Sequence, residues 1–179
     1  MTEPSTPTIS IITATHNAAA VLPRLIESLI AQTDQDFEWV VADGDSTDGT
    51  LDILEKAKSQ LKNVIVDSRP DFGIYDALNR GVKLSSGKYY LVVGADDVIF
   101  PDAISQYGKV CDDTKVDFVS ARVMSNDGIA RGPRKRSWEW LYGQFAYVSG
   151  HAVSLAIRKT LHDKFGWYTR KLPIAADQL

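Results

Sequence analysis

The stretch "FEWVVADGDSTDGTLDILEKAKSQL", residues 37–61, contains a strand-like segment followed at once by a helix-like segment. Its start, "FEWVVAD" (37–43), is apolar and rich in β-forming side chains, which is typical of a buried strand. Its end, "STDGTLDILEKAKSQL" (46–61), places leucines at helical spacing behind a capping sequence. A strand joined to a helix in this way is the unit from which α/β folds are built.

The same alternation continues on both sides of this stretch. Strands are predicted at 8–15, 37–43, 63–68, 88–95 and 115–124, and helices at 20–32, 46–61, 74–84 and 101–110. Such alternation needs crossover connections, so we expect an α/β fold with a Rossmann-like, mostly parallel sheet and helices on both faces. The pattern then fades into a predicted loop (125–137) and a short predicted helix (138–145).

Composition narrows the functional class. The chain has 179 residues, 44% of them hydrophobic, which is enough for one domain with a sizeable core. A net charge of −3 argues against a general nucleic-acid binder. The single Cys111 excludes an intramolecular disulfide, and the start "MTEPSTPT" has no signal-peptide pattern. No apolar run approaches the roughly 18 residues of a membrane span, so we expect a cytoplasmic protein.

Polar residues follow each of the first four predicted strands. In an open α/β sheet, ligands bind outside the carboxyl ends of the parallel strands. We therefore expect these residues to meet at one edge and to form a binding site. They are Thr13, Thr15, His16 and Asn17; Asp43, Gly44, Asp45 and Ser46; Asp67, Ser68 and Arg69; and Gly94, Asp96 and Asp97.

Asp96 and Asp97 are adjacent carboxylates at the end of the apolar run in "YYLVVGADDVIFPDA" (89–103). Two neighbouring carboxylates repel each other unless a cation lies near them. Magnesium is commonly held by one or two carboxylates together with substrate phosphates, so a metal shared with a diphosphate is one interpretation. The other is that Asp97 or Asp102 caps the following helix. The spacing alone leaves both open.

Three motifs together resemble the inverting family 2 glycosyltransferases of the GT-A fold, in the nucleotide-diphospho-sugar transferase superfamily. They are "VVADGDSTDGT" (40–50), "GIYDALNRGVKLSSGKYYLVVGADD" (73–97) and "GHAVSLAIRK…FGWYTRKLPIAADQL" (150–179). The resemblance covers roughly residues 7–179. It implies an N-terminal tail (1–7), a nucleotide-sugar-binding α/β half (8–124), and an acceptor-side segment of the same domain (125–179). Since relatives of this kind usually continue further, we expect the chain to be truncated at its C-terminus or unusually short.

The resemblance implies specific roles at the strand ends. Asp43 would accept a hydrogen bond from the base of a nucleotide-sugar donor, Asp97 would hold Mn²⁺ or Mg²⁺ against the diphosphate, and Asp96 would face the ribose or the sugar. The segment departs from the family's Asp-x-Asp motif, because Ala95 leaves only the later two positions acidic. The other predicted donor-binding residues are Thr13, Thr15, Asn17, Ser46, Gly73, Asp76 and Asn79.

Asp76 and Asn79 are three residues apart on a predicted helix and are expected to share a face toward the donor, whereas Arg80 is interpreted as a solvated side chain. Asp177 resembles the family's late acidic base, which takes the proton of the acceptor hydroxyl. Read without the resemblance, it is an exposed tail carboxylate. His151 is a second candidate metal ligand, with a structural histidine as the alternative.

Arg131, Arg134, Lys135 and Arg136 form a basic run followed by Trp138, Trp140 and Tyr142. A solvated loop is the simpler interpretation. The alternative is contact with an anionic membrane surface or with a diphosphate-linked lipid acceptor.

The predicted function is metal-dependent transfer of a sugar from a nucleoside-diphosphate donor, with UDP favoured over GDP or dTDP, to a saccharide or lipid-linked acceptor. The alternative is a nucleotide-sugar-binding domain without transfer activity. Nucleotidyltransferase chemistry lacks support, because no glycine-rich basic phosphate loop follows the first strand.

Overall fold

A computed structural model of the chain describes residues 7–113, 116–124, 130–131 and 154–169. The strands are β1 (Ile9–Thr15), β2 (Phe37–Asp43), β3 (Val64–Ser68), β4 (Tyr89–Val92), β5 (Phe118–Ser120), β6 (Val123–Met124), β7 (Ala130–Arg131) and β8 (Leu155–Arg158). The helices are α1 (Leu22–Ile30), α2 (Thr50–Lys58), α3 (Ile74–Leu84), α4 (Ala103–Asp113) and α5 (Leu161–Phe165). No helix within these ranges has the length and apolar character needed to cross a bilayer.

The main sheet of the described ranges has six strands in the order β3-β2-β1-β4-β8-β5. β1 is parallel to both β2 and β4, and β2 is parallel to β3. β8 runs antiparallel to β4 and β5. The register aligns Thr15 with Asp43 and Asp43 with Ser68, so the strand ends lie level. The predicted fold class, a mostly parallel α/β sheet, is confirmed.

Helices cover both faces of this sheet, as predicted. One buried cluster combines β-strand side chains such as Ile11 and Trp39 with Leu25 and Leu29 of α1 and Leu54 of α2. On the other face, Leu78 and Val82 of α3 pack with Ile12, Val40 and Tyr90. α3 lies close to the sheet because Gly81 has no side chain. A Cβ there would come within 2.5 Å of Ile12 Cγ2.

The single strand predicted for 115–124 is wrong. β5 ends at Ser120 because its partner β8 begins at Leu155, and the last contact is the Ala121 N–H donating to the Ser154 carbonyl at 2.9 Å. β6 pairs instead with β7, which falls inside the predicted loop 125–137. A local apolar pattern cannot reveal where a distant partner strand runs out. The helix predicted for 138–145 lies outside the described residues.

Candidate active site

The carboxyl ends of β1–β4 and the loops that follow them form one edge, which we call the carboxyl edge. The chain runs from β1 outward to β2 and β3 and then returns to place β4 on the opposite side of β1. The Val93 N–H continues this pairing by donating to the Ile12 carbonyl at 3.0 Å. The strand order therefore reverses between β1 and β4, and open α/β sheets bind ligands outside the strand ends at such a switch point.

Asp43, the last residue of β2, is the centre of a buried hydrogen-bond network and is 0% exposed. Its Oδ1 accepts from Thr15 Oγ1 (2.8 Å) and Ser46 Oγ (2.6 Å), and its Oδ2 accepts from the Ser46 N–H (2.9 Å) and Ser68 Oγ (2.7 Å). Burial alone raises the pKa of Asp43, but the hydrogen bonds from Ser46, Ser68 and Thr15 outweigh it and hold the pKa below its ordinary value. A carboxylate offers about four acceptor positions, so a nucleotide base would have to replace one of these donors.

Side chains join the loops after β1 and β2 to each other. The Asn17 N–H donates to Ser46 Oγ (2.8 Å), and Asn17 Oδ1 accepts from the Thr47 N–H (2.9 Å). Asp48 Oδ2 accepts from the Ala19 N–H (3.0 Å). Asn17 has a φ of 52°, a left-handed conformation that asparagine tolerates better than most residues. Three predicted donor-binding residues besides Asp43 (Thr15, Asn17 and Ser46) therefore belong to one connected unit.

Thr13 does not belong to that unit. It is fully buried two residues before the end of β1, and its Oγ1 accepts from the indole Nε1 of Trp39 at 3.0 Å. Residues two apart on a strand point to the same face of the sheet, so Thr13 and Thr15 share a face. They differ in their position along the strand, because Thr13 lies deeper in the sheet. Thr13 serves the core, and the structure does not support the predicted donor contact.

Asp96 and Asp97 lie at the carboxyl edge in a tight turn behind β4. The Gly94 N–H donates to Asp97 Oδ2 at 2.8 Å. A Cβ on Gly94 would lie 2.7 Å from Asp97 Oδ2 and 3.0 Å from Asp96 Oδ1, so both carboxylates converge on the same point. Oxygen ligands of this kind suit Mg²⁺ or Mn²⁺ when phosphate oxygens complete the shell. The described residues contain no cluster of three or more His, Cys, Asp or Glu side chains that could hold a metal ion.

The loop between β3 and α3 reaches the same edge. Gly73 has a φ of 109°, which favours glycine, and its N–H donates to Asp71 Oδ1 at 2.8 Å. Asp76 Oδ2 accepts from the Phe72 N–H at 3.4 Å. Asp71 Oδ2 would lie 2.8 Å from a Cβ on Gly44, so this loop also closes against the end of β2. Gly73 and Asp76 are thus placed at the carboxyl edge.

Arg80 is buried rather than solvated, which corrects the sequence interpretation. It is 8% exposed, and its Nη2 donates to the Asp43 carbonyl at 2.9 Å. Its Nη1 forms an ion pair with Asp67 Oδ2 at 3.1 Å, and Arg69 Nε forms a second ion pair with the same oxygen at 3.3 Å. Neither ion pair has the geometry of a hydrogen bond. Nη2 also lies 3.7 Å from Asp71 Oδ2. Arg80 therefore ties α3 to the carboxyl ends of β2 and β3.

Asn79 pairs with the backbone of Tyr168. Its Nδ2 donates to the Tyr168 carbonyl at 2.9 Å, and its Oδ1 accepts from the Tyr168 N–H at 3.1 Å. The Asn79 amide is thus engaged by Tyr168 while Asp76 accepts from the Phe72 N–H, and the donor contact predicted for the two residues stays a prediction. Asp177, His151 and the basic side chains of 131–136 lie outside the described side chains, so their roles stay predictions.

Sequence reasoning placed Ser68 and His16 among the polar residues of this edge without giving either a role, and it did not assign Asp71 or Arg80 to the site. His16 Nδ1 donates to the Gly44 carbonyl at 2.9 Å, which ties the β1 loop to the β2 loop. Ser68 stood in a recognised polar cluster at a strand end, and that signal was sufficient to find it. Arg80 gave no such signal, because a helical arginine is usually solvated and only the fold brings it to a carbonyl.

Comparison with known proteins agrees with this architecture. A sequence profile described as glycosyl transferase family 2 matches residues 10–168. A PGL/p-HBAD biosynthesis glycosyltransferase of Mycobacterium bovis is 47% identical over 95 residues, covering 52% of this chain and 37% of that protein. The chain thus spans well under two thirds of this relative's length.

Solved structures show the same fold. S. aureus TarS in complex with UDP-GlcNAc superposes with a TM-score of 0.79 at 24% identity, covering 96% of this chain and 51% of that one. The mannosyltransferase PcManGT of Pyrobaculum calidifontis, in complex with GDP-Man and Mn²⁺, gives a TM-score of 0.68 at 20% identity, covering 91% and 48%. The predicted GT-A fold is confirmed. Because the family profile covers most of the sequence, the chain belongs to the glycosyl transferase family 2.

Proposed function

We propose that the protein is a metal-dependent, inverting glycosyltransferase that moves a sugar from a nucleoside-diphosphate donor to an acceptor hydroxyl. The observation that carries this proposal is the convergence of the Asp96 and Asp97 carboxylates beside Gly94 at the switch point of the sheet. UDP is the favoured donor nucleotide, supported by the UDP-GlcNAc complex of TarS. GDP remains the second choice, since PcManGT is seen with GDP-Man and Mn²⁺.

The donor would lie across the carboxyl edge, with its diphosphate beside β4 and its nucleoside beside the ends of β1 and β2. A bound Mn²⁺ or Mg²⁺ supplies Lewis-acid stabilisation of the negative charge that develops on the leaving diphosphate. Asp97 would hold that cation, and Asp96 would face the ribose or sugar. The Asp43 network keeps the β1 and β2 loops in the shape that receives the nucleoside.

Inversion requires the acceptor hydroxyl to attack from the face opposite the leaving group, with a carboxylate taking its proton. We assign that base to Asp177. Asp177→Asn keeps the size of the side chain but removes the proton acceptor, so turnover should fall on the order of 10²–10⁴-fold while affinity for UDP with Mn²⁺ stays near wild type. Single-turnover kinetics alongside calorimetry measures both. Turnover near the wild-type rate would place the base elsewhere.

The acceptor is proposed to be a saccharide or a lipid-linked saccharide, in the synthesis of a glycolipid or surface polysaccharide. The name of the mycobacterial relative, a PGL/p-HBAD biosynthesis glycosyltransferase, supports this class. A lipid-linked acceptor would suit a cytoplasmic enzyme that contacts an anionic membrane surface through the basic run 131–136.

Transfer of labelled sugar separates this proposal from a nucleotide-sugar-binding domain without activity. The protein, with Mn²⁺, would be incubated with UDP-sugars and a panel of lipid-linked and free saccharide acceptors, and a parallel sample would contain EDTA. We expect transfer or slow donor hydrolysis that EDTA abolishes. Tight UDP-sugar binding with no turnover on any acceptor would favour the binding domain, and turnover that persists in EDTA would exclude metal dependence.

A further inference from the structure

Residues 161–169, which we call the α5 arm, are hydrogen-bonded to β4 and α3, two elements that lead to the carboxyl edge. Tyr90 of β4 contacts two of its members, with its hydroxyl 2.8 Å from His162 Nε2 and 2.7 Å from the Tyr168 hydroxyl. Burial raises the pKa of Tyr90, so its phenol stays neutral and bridges both partners. The His162 ring also stacks on Trp167 with ring centroids 4.6 Å apart. The arm is therefore a fixed part of the fold.

The side chain of Asn79 on α3 forms two hydrogen bonds with the backbone of the α5 arm. Its amide donates to the Tyr168 carbonyl at 2.9 Å and accepts from the Tyr168 N–H at 3.1 Å, in the manner of a strand pair. Because the pair uses one donor and one acceptor at a single residue, a slip of the arm by one position would break both bonds. A donor-binding role for Asn79 would give up these two bonds at a partly buried site, where an unmade hydrogen bond is costly.

The contacts along α3 also fix the direction of the arm. Lys83 Nζ lies 4.7 Å from the Trp167 ring centroid, whereas the next residue, Tyr168, is held by Asn79 and packs 5.9 Å from the Tyr75 ring. Positions 83, 79 and 75 follow one another at four-residue spacing on one helix face. α3 follows β3 and so begins at the carboxyl edge, which means that the arm runs toward that edge as it passes from Trp167 to Tyr168.

We propose that Asn79 is a positioning residue for sugar transfer: it sets the register of the α5 arm on α3 and does not bind the donor. This inference rests on the proposed function, because the arm belongs to the segment (125–179) that is predicted to serve the acceptor. Loss of the Asn79 pair loosens the arm without disturbing Asp43, Asp96 or Asp97. It should therefore lower the rate of transfer and leave donor affinity unchanged.

The test compares Asn79→Ala with Asn63→Ala, a matched control at the opposite edge whose Nδ2 donates to the Phe37 carbonyl at 3.5 Å. Three quantities are measured: hydrogen exchange of the Tyr168 amide, calorimetric affinity for UDP with Mn²⁺, and kcat with the UDP-sugar found active in the donor screen. For Asn79→Ala we expect exchange about tenfold faster or more, affinity within about twofold, and kcat lower by on the order of 10- to 100-fold, the scale of a small misplacement of reacting groups. Asn63→Ala should change none of them.

The opposite pattern overturns the proposal. That pattern is UDP affinity about tenfold weaker with unchanged Tyr168 exchange, as a donor ligand would give. Faster exchange with unchanged kcat also overturns it, since the register of the arm would then not matter for transfer. If Asn79→Ala does not fold, Asn79→Asp retains the size and the acceptor for the Tyr168 N–H while removing the amide donor, and the same directions are expected. If the wild-type protein transfers no sugar, the proposed function fails, and the exchange and affinity measurements still decide between arm and donor as the partner of Asn79.

Discussion

Asp43 and the Asp96–Asp97 pair both follow buried parallel strands, but their surroundings differ. Asp43 is fully buried and accepts four hydrogen bonds from within the protein. Asp96 is exposed, and its Oδ1 converges with Asp97 Oδ2 on the space beside Gly94. The same sequence signal, an aspartate at a strand end, thus produces one carboxylate that holds the loops together and two whose oxygens converge beside Gly94, where we propose that the metal and diphosphate bind. Removing the first should mainly cost stability, and removing the second should mainly cost binding.

The largest effect is expected at the converging pair. Asp97→Ala should weaken binding of UDP with Mn²⁺ by on the order of 10²-fold or more, because metal stabilisation of a diphosphate amounts to several kcal/mol. Turnover should fall with it, while the free energy of unfolding should change by about 1 kcal/mol or less. Calorimetry and urea unfolding measure the two. Unchanged affinity and metal dependence would remove the metal assignment.

Asp43→Ala should have the opposite effect, with a large loss of stability and a small loss of UDP affinity. It leaves buried donors from Ser46, Thr15 and Ser68 without their acceptor, so the free energy of unfolding should fall by about 3 kcal/mol. Asp45→Asn is the matched control, since Asp45 is exposed next to the network and has a φ of 65° that asparagine accepts. Equal stability of the two variants in urea unfolding would contradict the scaffolding role of Asp43.

A smaller effect is expected from Gly94→Ala, which keeps both carboxylates but puts a methyl group between them. The contacts of 2.7 and 3.0 Å require the side chains to move, so affinity for UDP with Mn²⁺ should fall about tenfold. Gly108→Ala on α4 is the control, since a Cβ there meets nothing within 4 Å. That control should retain affinity and gain up to about 1 kcal/mol of stability from helix propensity. Equal affinity in both variants would show that the space beside Gly94 is not used.

The smallest expected effect is the acid dependence of stability at Asp43. Its pKa is held below the ordinary value by hydrogen bonds from Ser46, Ser68 and Thr15 that outweigh burial. A folded-state pKa below the unfolded value of roughly 3.9 gives stability that is present above that value and is lost as pH falls through the folded-state pKa. As the pH falls below about 4, wild-type protein should therefore lose unfolding free energy more steeply than Asp43→Asn does. Parallel curves in urea titrations across this range would exclude that contribution.

The accuracy of the predictions made from the sequence differs between particular elements and residues. "FEWVVAD" and "IYDALNRGVKL" were placed to the residue as β2 and α3, since strand and helix periods differ sharply there. Convergence of Thr15, Asp43, Ser46 and Ser68 followed from parallel strands ending at one edge. Thr13 was misplaced, since period-two alternation puts it on the same face as Thr15 but says nothing about its depth along the strand.

By itself, the sequence determined the class of fold, the edge that bears the polar side chains and the aspartate pair at the end of β4, because these depend on local periodicity and on the direction of parallel strands. Only the tertiary structure decided which partners those side chains take. It buried Arg80 against the Asp43 carbonyl, turned Asn79 to the backbone of Tyr168, and divided 115–124 between two sheets. Each of these depends on contacts between residues far apart in the chain. A hydrogen bond or a strand pair forms only where the whole fold brings both partners together, and no local pattern encodes the position of the second partner.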